Sequence, residues 1–184
     1  KIVVPDSVIE IGRGAFKGCV GINDITLPFV GKSANAVGYE AVFGYIFDFV
    51  ETPITNWSTT TSLDFINKKH DVDGTVWQYT CIPPVKHDGS GNPYKQTYYN
   101  YYIPDLITTV TITTQTAIPD AAFNGCDFIE DVYYKGDIAG WCAISFGGSY
   151  ANPIYYADNL YIGGKLIEGE LIIPDSVTSI GAYA

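Results

Sequence analysis

The stretch "IVVPDSVIEIGRGAFKGC" at residues 2–19 begins a pattern that later parts of the chain repeat. Its tetrapeptide PDSV returns unchanged at residues 174–177, and its segment "AFKGC" at residues 15–19 returns as "AFNGC" at residues 122–126. Self-similarity over periods of about 20 to 50 residues is typical of repeat proteins, in which each repeat contributes one structural unit. The sequence therefore predicts a stack of similar units.

Three segments share one spacing of apolar residues, apolar-x-x-apolar-x-apolar, in which the last two positions alternate as they do in a short strand. These positions are Ile22, Ile25 and Leu27; Ile107, Val110 and Ile112; and Ile129, Val132 and Tyr134. One strand cannot bury its apolar side alone, so we expect the strands to stack as neighbours. The expected strand starts lie near Ile2, Ile25, Val110, Val132 and Leu171.

In the clearest copies, the strand continues into a Pro-Asp-Ser turn and an Ala-Phe corner. Phe16 and Phe123 occupy the same place in their repeats, so both are predicted to be buried corner residues. Cys19 and Cys126 follow them and are expected in the core. Strands lie about 4.8 Å apart. If one repeat separates these cysteines, they are too far apart for a disulfide.

The segments "VPDSVIEIGRGAFKGC" and "IPDSVTSIGAYA" resemble the leucine-rich repeat of the BspA type, found in bacterial and some protozoan surface proteins. Residues 136–166 resemble a longer variant in which a helix containing Trp, an Asn-Pro turn and a hairpin interrupt the repeat. The segment "LPFVGKSANAV" with the later "FGYIF" resembles another long variant. The resemblance implies a secreted or cell-surface bacterial protein of modular build, of which this chain is a piece, and it implies no catalytic residues.

The predicted fold is mainly β: a right-handed leucine-rich-repeat solenoid with an inserted β-hairpin flap and short helices. We expect one unit over residues 1–184, with insertions at about 29–109 and 136–167. In the first insertion, "TVWQYTCI" and "TYYNYYI" are predicted to pair across a hairpin end that contains "HDGSGNPYKQ". In the second, Gly163 and Gly164 favour a two-residue hairpin turn.

Charge excludes two classes of partner. The chain of 184 residues has 10 Lys and Arg against 20 Asp and Glu, a formal net charge of −10. Such a charge disfavours nucleic acid and anionic membrane surfaces. No run of about 18 apolar residues occurs, so no insertion into a membrane is expected.

No pattern of catalytic residues occurs, neither a nucleophile elbow nor a phosphate-binding loop. The segment "HDVDG" at residues 70–74 resembles part of a calcium loop but lacks the later ligands. His70 and His87 do not lie at zinc-ligand spacing. The chain is therefore predicted to be no enzyme and to need no metal or cofactor.

Strand alternation also predicts which residues face outward. One outward column contains Val3, Thr26, Thr111, Tyr133 and Ile172, and the column beside it contains Asp24, Thr109, Asp131 and Glu170. Ordinary solvated surface and a partner-binding face both explain such columns. The candidate binding residues are Asp24, Thr26, Thr111, Asp131, Tyr133, Glu170 and Ile172.

The sequence thus favours a non-enzymatic protein-interaction or adhesion module that contacts a host or neighbouring-cell protein. A second hypothesis is glycan binding by aromatic residues of the first insertion, because aromatic faces stack on sugar rings. Its candidate residues are Trp57, Trp77, Tyr98, Tyr99, Tyr101 and Tyr102. A third hypothesis is a structural spacer between other domains.

Overall fold

The computed structural model describes residues 1–53, 75–81 and 97–184; at 50–53, 75–81, 97, 98 and 100 it describes the strand without the side chains. Strands dominate and helices are short. The strands are β1 (Ile2–Val3), β2 (Asp24–Leu27), β3 (Phe49–Pro53), β4 (Thr75–Cys81), β5 (Thr97–Pro104), β6 (Thr109–Ile112), β7 (Ala117–Ile118), β8 (Asp131–Tyr134), β9 (Ser145–Phe146), β10 (Asn159–Ile162) and β11 (Lys165–Leu166). The α-helix α1 spans Ile138–Cys142, and 3-10 helices span Gly38–Glu40, Phe43–Phe47, Ser149–Ala151 and Pro153–Tyr155.

The main sheet has six strands in the order β1-β2-β6-β8-β10-β11. Its first five strands run parallel and in register, so that Ile2, Ile25, Val110, Val132 and Leu160 lie opposite one another. The nine apolar positions that share one spacing are all buried. The prediction of a mainly-β repeat fold is confirmed, as are the first four predicted strand starts.

The fifth predicted strand start, Leu171, is wrong. Residues 171–174 form no strand, and the strand beside β8 is β10, with Leu160 opposite Val132. Gly163 and Gly164 adopt positive φ values of 58° and 81°, which turn the chain back as β11 along the far side of β10. The hairpin predicted here is confirmed, but it occupies the sheet position that we assigned to the last repeat.

The repeated sequences form matching turns. Val8 N donates to Pro5 O at 3.0 Å, and Val177 N donates to Pro174 O at 2.9 Å, so both copies of PDSV make the same turn. A second pair of parallel strands, β7 and β9, places Ile118 opposite Phe146.

The two Phe corners differ in burial. Phe123 is completely buried, and its ring lies 5.4 Å from that of Phe43. Phe16 is only half-buried, with its ring 6.4 Å from that of Phe47. The expectation of equal burial was therefore wrong. Cys126 is buried as predicted, whereas Cys19 is exposed, and both are free thiols.

Part of the predicted first insertion packs into the core. Residues 41–47 are buried, and the Phe43–Phe47 helix packs against the Phe corners, so this segment belongs to the core. A separate three-stranded antiparallel sheet follows, in the order β3-β5-β4. The predicted pairing of β4 with β5 is confirmed from Thr75 opposite Pro104 to Cys81 opposite Tyr98. The hairpin end at 82–96 lies outside the described residues.

Within the described part of the chain, no helix has both the length and the hydrophobicity needed to span a membrane.

Candidate interaction surface

The outward face of the main sheet is built by register. Val3, Thr26, Thr111, Tyr133 and Tyr161 lie side by side on β1, β2, β6, β8 and β10, and we call them the outer column. Asp24, Thr109, Asp131 and Asn159 lie two residues earlier on four of these strands, on the same face, and we call them the polar column. Five of the seven predicted binding residues belong to the two columns. Glu170 and Ile172 do not, because Asn159 and Tyr161 occupy the strand positions predicted for them.

The outer column has short side chains at one end and aromatic side chains at the other. Val3 is 57% exposed, whereas Thr26 is only 5% exposed because its short side chain lies between Val3 and Thr111. The expectation that Thr26 is exposed was wrong. Tyr133 and Tyr161 stack with ring centroids 4.2 Å apart and an interplanar angle of 5°. They form a rigid aromatic ridge next to the polar column.

The Tyr133 phenol remains neutral. Partial burial raises the pKa of Tyr133, and the nearby Tyr161, Asp131 and Asp24 raise it further. A neutral phenol retains its hydroxyl proton, which can be donated either to the neighbouring Tyr161 hydroxyl or to a partner.

The polar column contains two carboxylates in different settings. Asn159 Nδ2 donates to Asp131 Oδ1 at 2.9 Å, so an amide stands where we predicted a second carboxylate, Glu170. Lys1 Nζ lies 3.0 Å from Asp24 Oδ2, while Asp24 Oδ1 is buried without a hydrogen-bond partner among the described residues. A buried acceptor without a partner is costly, so a donor from a binding partner would stabilise Asp24.

A cleft of about 360 Å³ lies where β1, β2 and β6 end. Its lining includes Asp6, Ile9, Ser33, Asn35, Thr114 and Gln115. Gln115 is 3% exposed; its Oε1 accepts from Val30 N at 2.8 Å, and its Nε2 has no hydrogen-bond partner in the described segments. Ile9 is 84% exposed at the cleft. The cleft therefore combines an apolar side chain with polar groups and is large enough for a side chain of a partner.

The aromatic residues predicted for glycan binding differ in burial and in how far the structure describes them. Trp57 lies outside the described residues, and Trp77 and Tyr98 are described only as positions on β4 and β5. Tyr102 is half-buried. Tyr99 and Tyr101 are buried, so the prediction that they form an exposed platform is wrong.

Tyr99 and Tyr101 are buried because alternate residues of β5 face the core. Tyr99 stacks on Tyr39 with ring centroids 4.4 Å apart, and Tyr101 Oη donates to Tyr39 O at 2.5 Å. The alternation of Tyr99, Tyr101 and the buried Ile103 was the sequence signal for this burial.

Sequence reasoning missed Asn159, Tyr161 and Gln115. The alternation of Leu160 and Ile162 matches that of Val132 and Tyr134 and could have placed Asn159 and Tyr161 in the columns. No comparable signal marks Gln115, because its place in the cleft depends on residues from three separate segments.

Among the residues that the structure describes, no group of three or more His, Cys, Asp or Glu side chains could hold a metal ion. The segment 70–74 and both histidines lie outside those residues.

The parallel, in-register strands define a mainly-β repeat protein. Residues 1–69 match the family model described as BspA type leucine rich repeat region (6 copies). The resemblance inferred from the sequence is thereby confirmed. Searches of curated proteins and of solved structures gave no match.

Proposed function

We propose that this chain is a non-enzymatic protein-interaction or adhesion module of a secreted or cell-surface bacterial protein. Its binding surface consists of the outer column, the polar column and the adjoining cleft. The partner is a protein of a host or of a neighbouring cell. The match to the BspA-type family supports this class of function, since repeat proteins bind through extended surfaces.

We also propose that the chain folds as a right-handed solenoid. The first five strands of the main sheet are neighbours in chain order and run parallel, as successive turns of a leucine-rich-repeat solenoid would. Connections between parallel strands are right-handed in nearly all proteins, which supports a right-handed solenoid. We treat residues 1–184 as one such unit with insertions.

The parallel register carries the proposal, because it turns single residues from five strands into one continuous face. The stacked Tyr133 and Tyr161 supply the rigid aromatic area that is common in the centres of protein interfaces. The unpartnered Asp24 Oδ1 favours a partner group that donates hydrogen bonds, and the net charge of −10 favours a basic one. The cleft would receive an anchoring side chain.

The test is capture of partners from host and bacterial surface extracts by immobilised protein, with two arginine variants. Thr111→Arg places a long cation in the middle of the outer column, whereas Thr178→Arg makes the same change at an exposed position outside it. We expect a protein that binds the wild type and Thr178→Arg equally but binds Thr111→Arg at least about tenfold more weakly, the effect of about 1.4 kcal/mol.

Equal capture by Thr111→Arg and Thr178→Arg would refute the proposed surface. A glycan screen run in parallel separates the other hypotheses. Binding to glycans without any captured protein would favour a glycan-binding module, and no binding in either screen would favour a spacer.

A further inference from the structure

Three tyrosines in the segment after α1 form an exposed aromatic group, which we call the tyrosine triad: Tyr150, Tyr155 and Tyr156. Tyr150 is 40% exposed and Tyr155 is 56% exposed. The Tyr155 ring lies 5.0 Å from both other rings, nearly perpendicular to each, at 76° and 78°. The triad therefore presents two differently oriented rings to a ligand.

The triad is held in place before any ligand binds. Tyr150 O accepts from Phe123 N at 2.9 Å, which ties the triad to the buried corner. Tyr156 Oη accepts from Gly125 N at 2.9 Å and donates to Asn124 Oδ1 at 3.3 Å. Ordering these rings on binding would therefore cost little conformational entropy.

The connection between the tyrosines is also fixed. Asn152 lies between the two 3-10 helices that carry Tyr150 and Tyr155, and it is 7% exposed. Its Oδ1 accepts from Ile154 N at 3.1 Å, and its Nδ2 donates to Tyr183 O at 2.6 Å.

A carboxylate lies close in space to the backbone that leads into the triad. Asp120 is exposed, and its Oδ1 accepts from Ala121 N at 2.8 Å. A Cβ atom placed on Gly148, two residues before Tyr150, would lie only 2.2 Å from Asp120 Oδ1. Asp120 therefore packs directly against the backbone that leads into the triad, where it can accept hydrogen bonds from a ligand.

From this arrangement we infer that the triad binds a ring of a neutral saccharide. The face of an aromatic ring carries negative charge density and its edge positive, so the weakly positive C–H groups of a sugar ring pack favourably on the exposed face of Tyr155. Hydroxyl groups of the sugar donate to Asp120. An acidic sugar is disfavoured by the chain's net charge of −10. This site lies outside the proposed protein-binding surface and does not depend on it.

A proline-rich peptide also packs on aromatic rings, but it fits this site less well. Its carbonyl groups need donors, and the hydroxyl of Tyr156 already donates to Asn124 Oδ1 at 3.3 Å. Its proline residues lack N–H groups, so they leave the Asp120 carboxylate without a donor. A ligand rich in hydroxyl groups uses both the rings and the carboxylate.

The test measures binding of three neutral trisaccharides, maltotriose, cellotriose and chitotriose, by NMR titration of the ¹⁵N-labelled chain. We expect at least one to shift the amides of Tyr155 and Tyr156 at about 10 mM, a concentration that detects millimolar dissociation constants. Tyr155→Ala removes the most exposed ring and should weaken that binding about three- to tenfold. Asp120→Asn removes the charged acceptor and should also weaken it.

Two further variants control the test. Tyr155→Phe keeps the ring and should retain binding, which separates stacking from the role of the hydroxyl. Leu106→Ala removes a side chain that is also 56% exposed, far from the triad in sequence, and should not change affinity. If Tyr155→Ala melts below the wild type, the inference is tested by the affinities of Tyr155→Phe and Asp120→Asn. The amides whose chemical shifts change on titration then show whether the sugar binds at the triad.

The inference is overturned if no trisaccharide shifts the triad amides, or if Asp120→Asn and Tyr155→Ala both bind as the wild type does. It is also overturned if a proline-rich peptide titrates the triad and the trisaccharides do not. None of these outcomes bears on Thr111, so the result is separable from that of the partner capture.

Discussion

Phe123 has the strongest packing among the repeated corner residues. Its ring is completely buried against Phe43, whereas the ring of Phe16, its sequence counterpart, is half-buried against Phe47. We expect Phe123→Ala to lower the free energy of unfolding by about 3 to 5 kcal/mol, because it removes a large buried side chain and leaves a cavity. Phe16→Ala should cost markedly less, since part of its ring already contacts water.

Urea denaturation of both variants measures this difference. Equal losses would contradict the different burial of the two corners. A loss below about 1 kcal/mol for Phe123→Ala would contradict its place in the core.

The repeated sequence at the two Phe corners predicts their local backbone geometry but not their burial. "AFKGC" and "AFNGC" form the same local hydrogen bonds: Cys19 N donates to Phe16 O at 3.1 Å, and Cys126 N donates to Phe123 O at 3.0 Å. Local backbone geometry follows from local sequence. Burial does not, because it depends on the neighbour that each corner receives, and the helix Phe43–Phe47 comes from a segment that we had placed in an insertion.

At the scale of elements, Asp48 joins the core to the sheet of β3, β4 and β5. Its carboxylate lies 2.9 Å from Arg13 Nε and 2.8 Å from Lys17 Nζ. The Arg13 guanidinium also donates to Phe49 O at 2.6 Å and lies 3.7 Å from the centre of the Phe49 ring. Burial raises the pKa of Asp48, but hydrogen bonds from Lys17, Phe49 N and Arg13 outweigh it and hold the pKa below its ordinary value.

Asp48 also has a strained backbone, with φ 97° and ψ 163°. This region is almost restricted to glycine and costs other residues about 1 to 3 kcal/mol. We expect Asp48→Gly to be more stable than Asp48→Ala by about 1 kcal/mol or more, because both lose the ion pairs and only glycine relieves the strain. Thermal denaturation of the two variants measures the difference. If alanine proves as stable as glycine, Asp48 does not hold this conformation in solution.

The sequence predicted the hairpins better than it predicted the order of the strands in the main sheet. The hairpin of β10 and β11 follows from Gly163 and Gly164, and the pairing of β4 with β5 follows from their β-forming residues. The position of β10 beside β8 did not follow, because residues 160–162 and 171–173 both alternate apolar residues. Residues 171–173 lie next to the repeated PDSV sequence, yet residues 160–162 form the strand beside β8.

At the scale of the whole molecule, register decides both fold and surface. The same alternation that buries Ile25, Val110 and Val132 places Thr26, Thr111 and Tyr133 in one outward column. Four of the five expected strand starts could be predicted because apolar spacing repeats without interruption there. The position of β10 at the end of the outer column could not be predicted, so the stacking of Tyr133 on Tyr161 was missed.

The most direct test of this register is a pair of engineered cysteines. Directly opposite residues on adjacent strands lie about 4.8 Å apart, within the Cα range of about 4.4 to 6.8 Å for a disulfide. The variant with Tyr133→Cys and Tyr161→Cys should therefore form an intramolecular disulfide under mild oxidation, identified by mass spectrometry of proteolytic peptides. The variant with Tyr133→Cys and Ile172→Cys should not, although the repeat in the sequence pairs these two positions. A disulfide between positions 133 and 172, with none between 133 and 161, would contradict the register and the surface built on it.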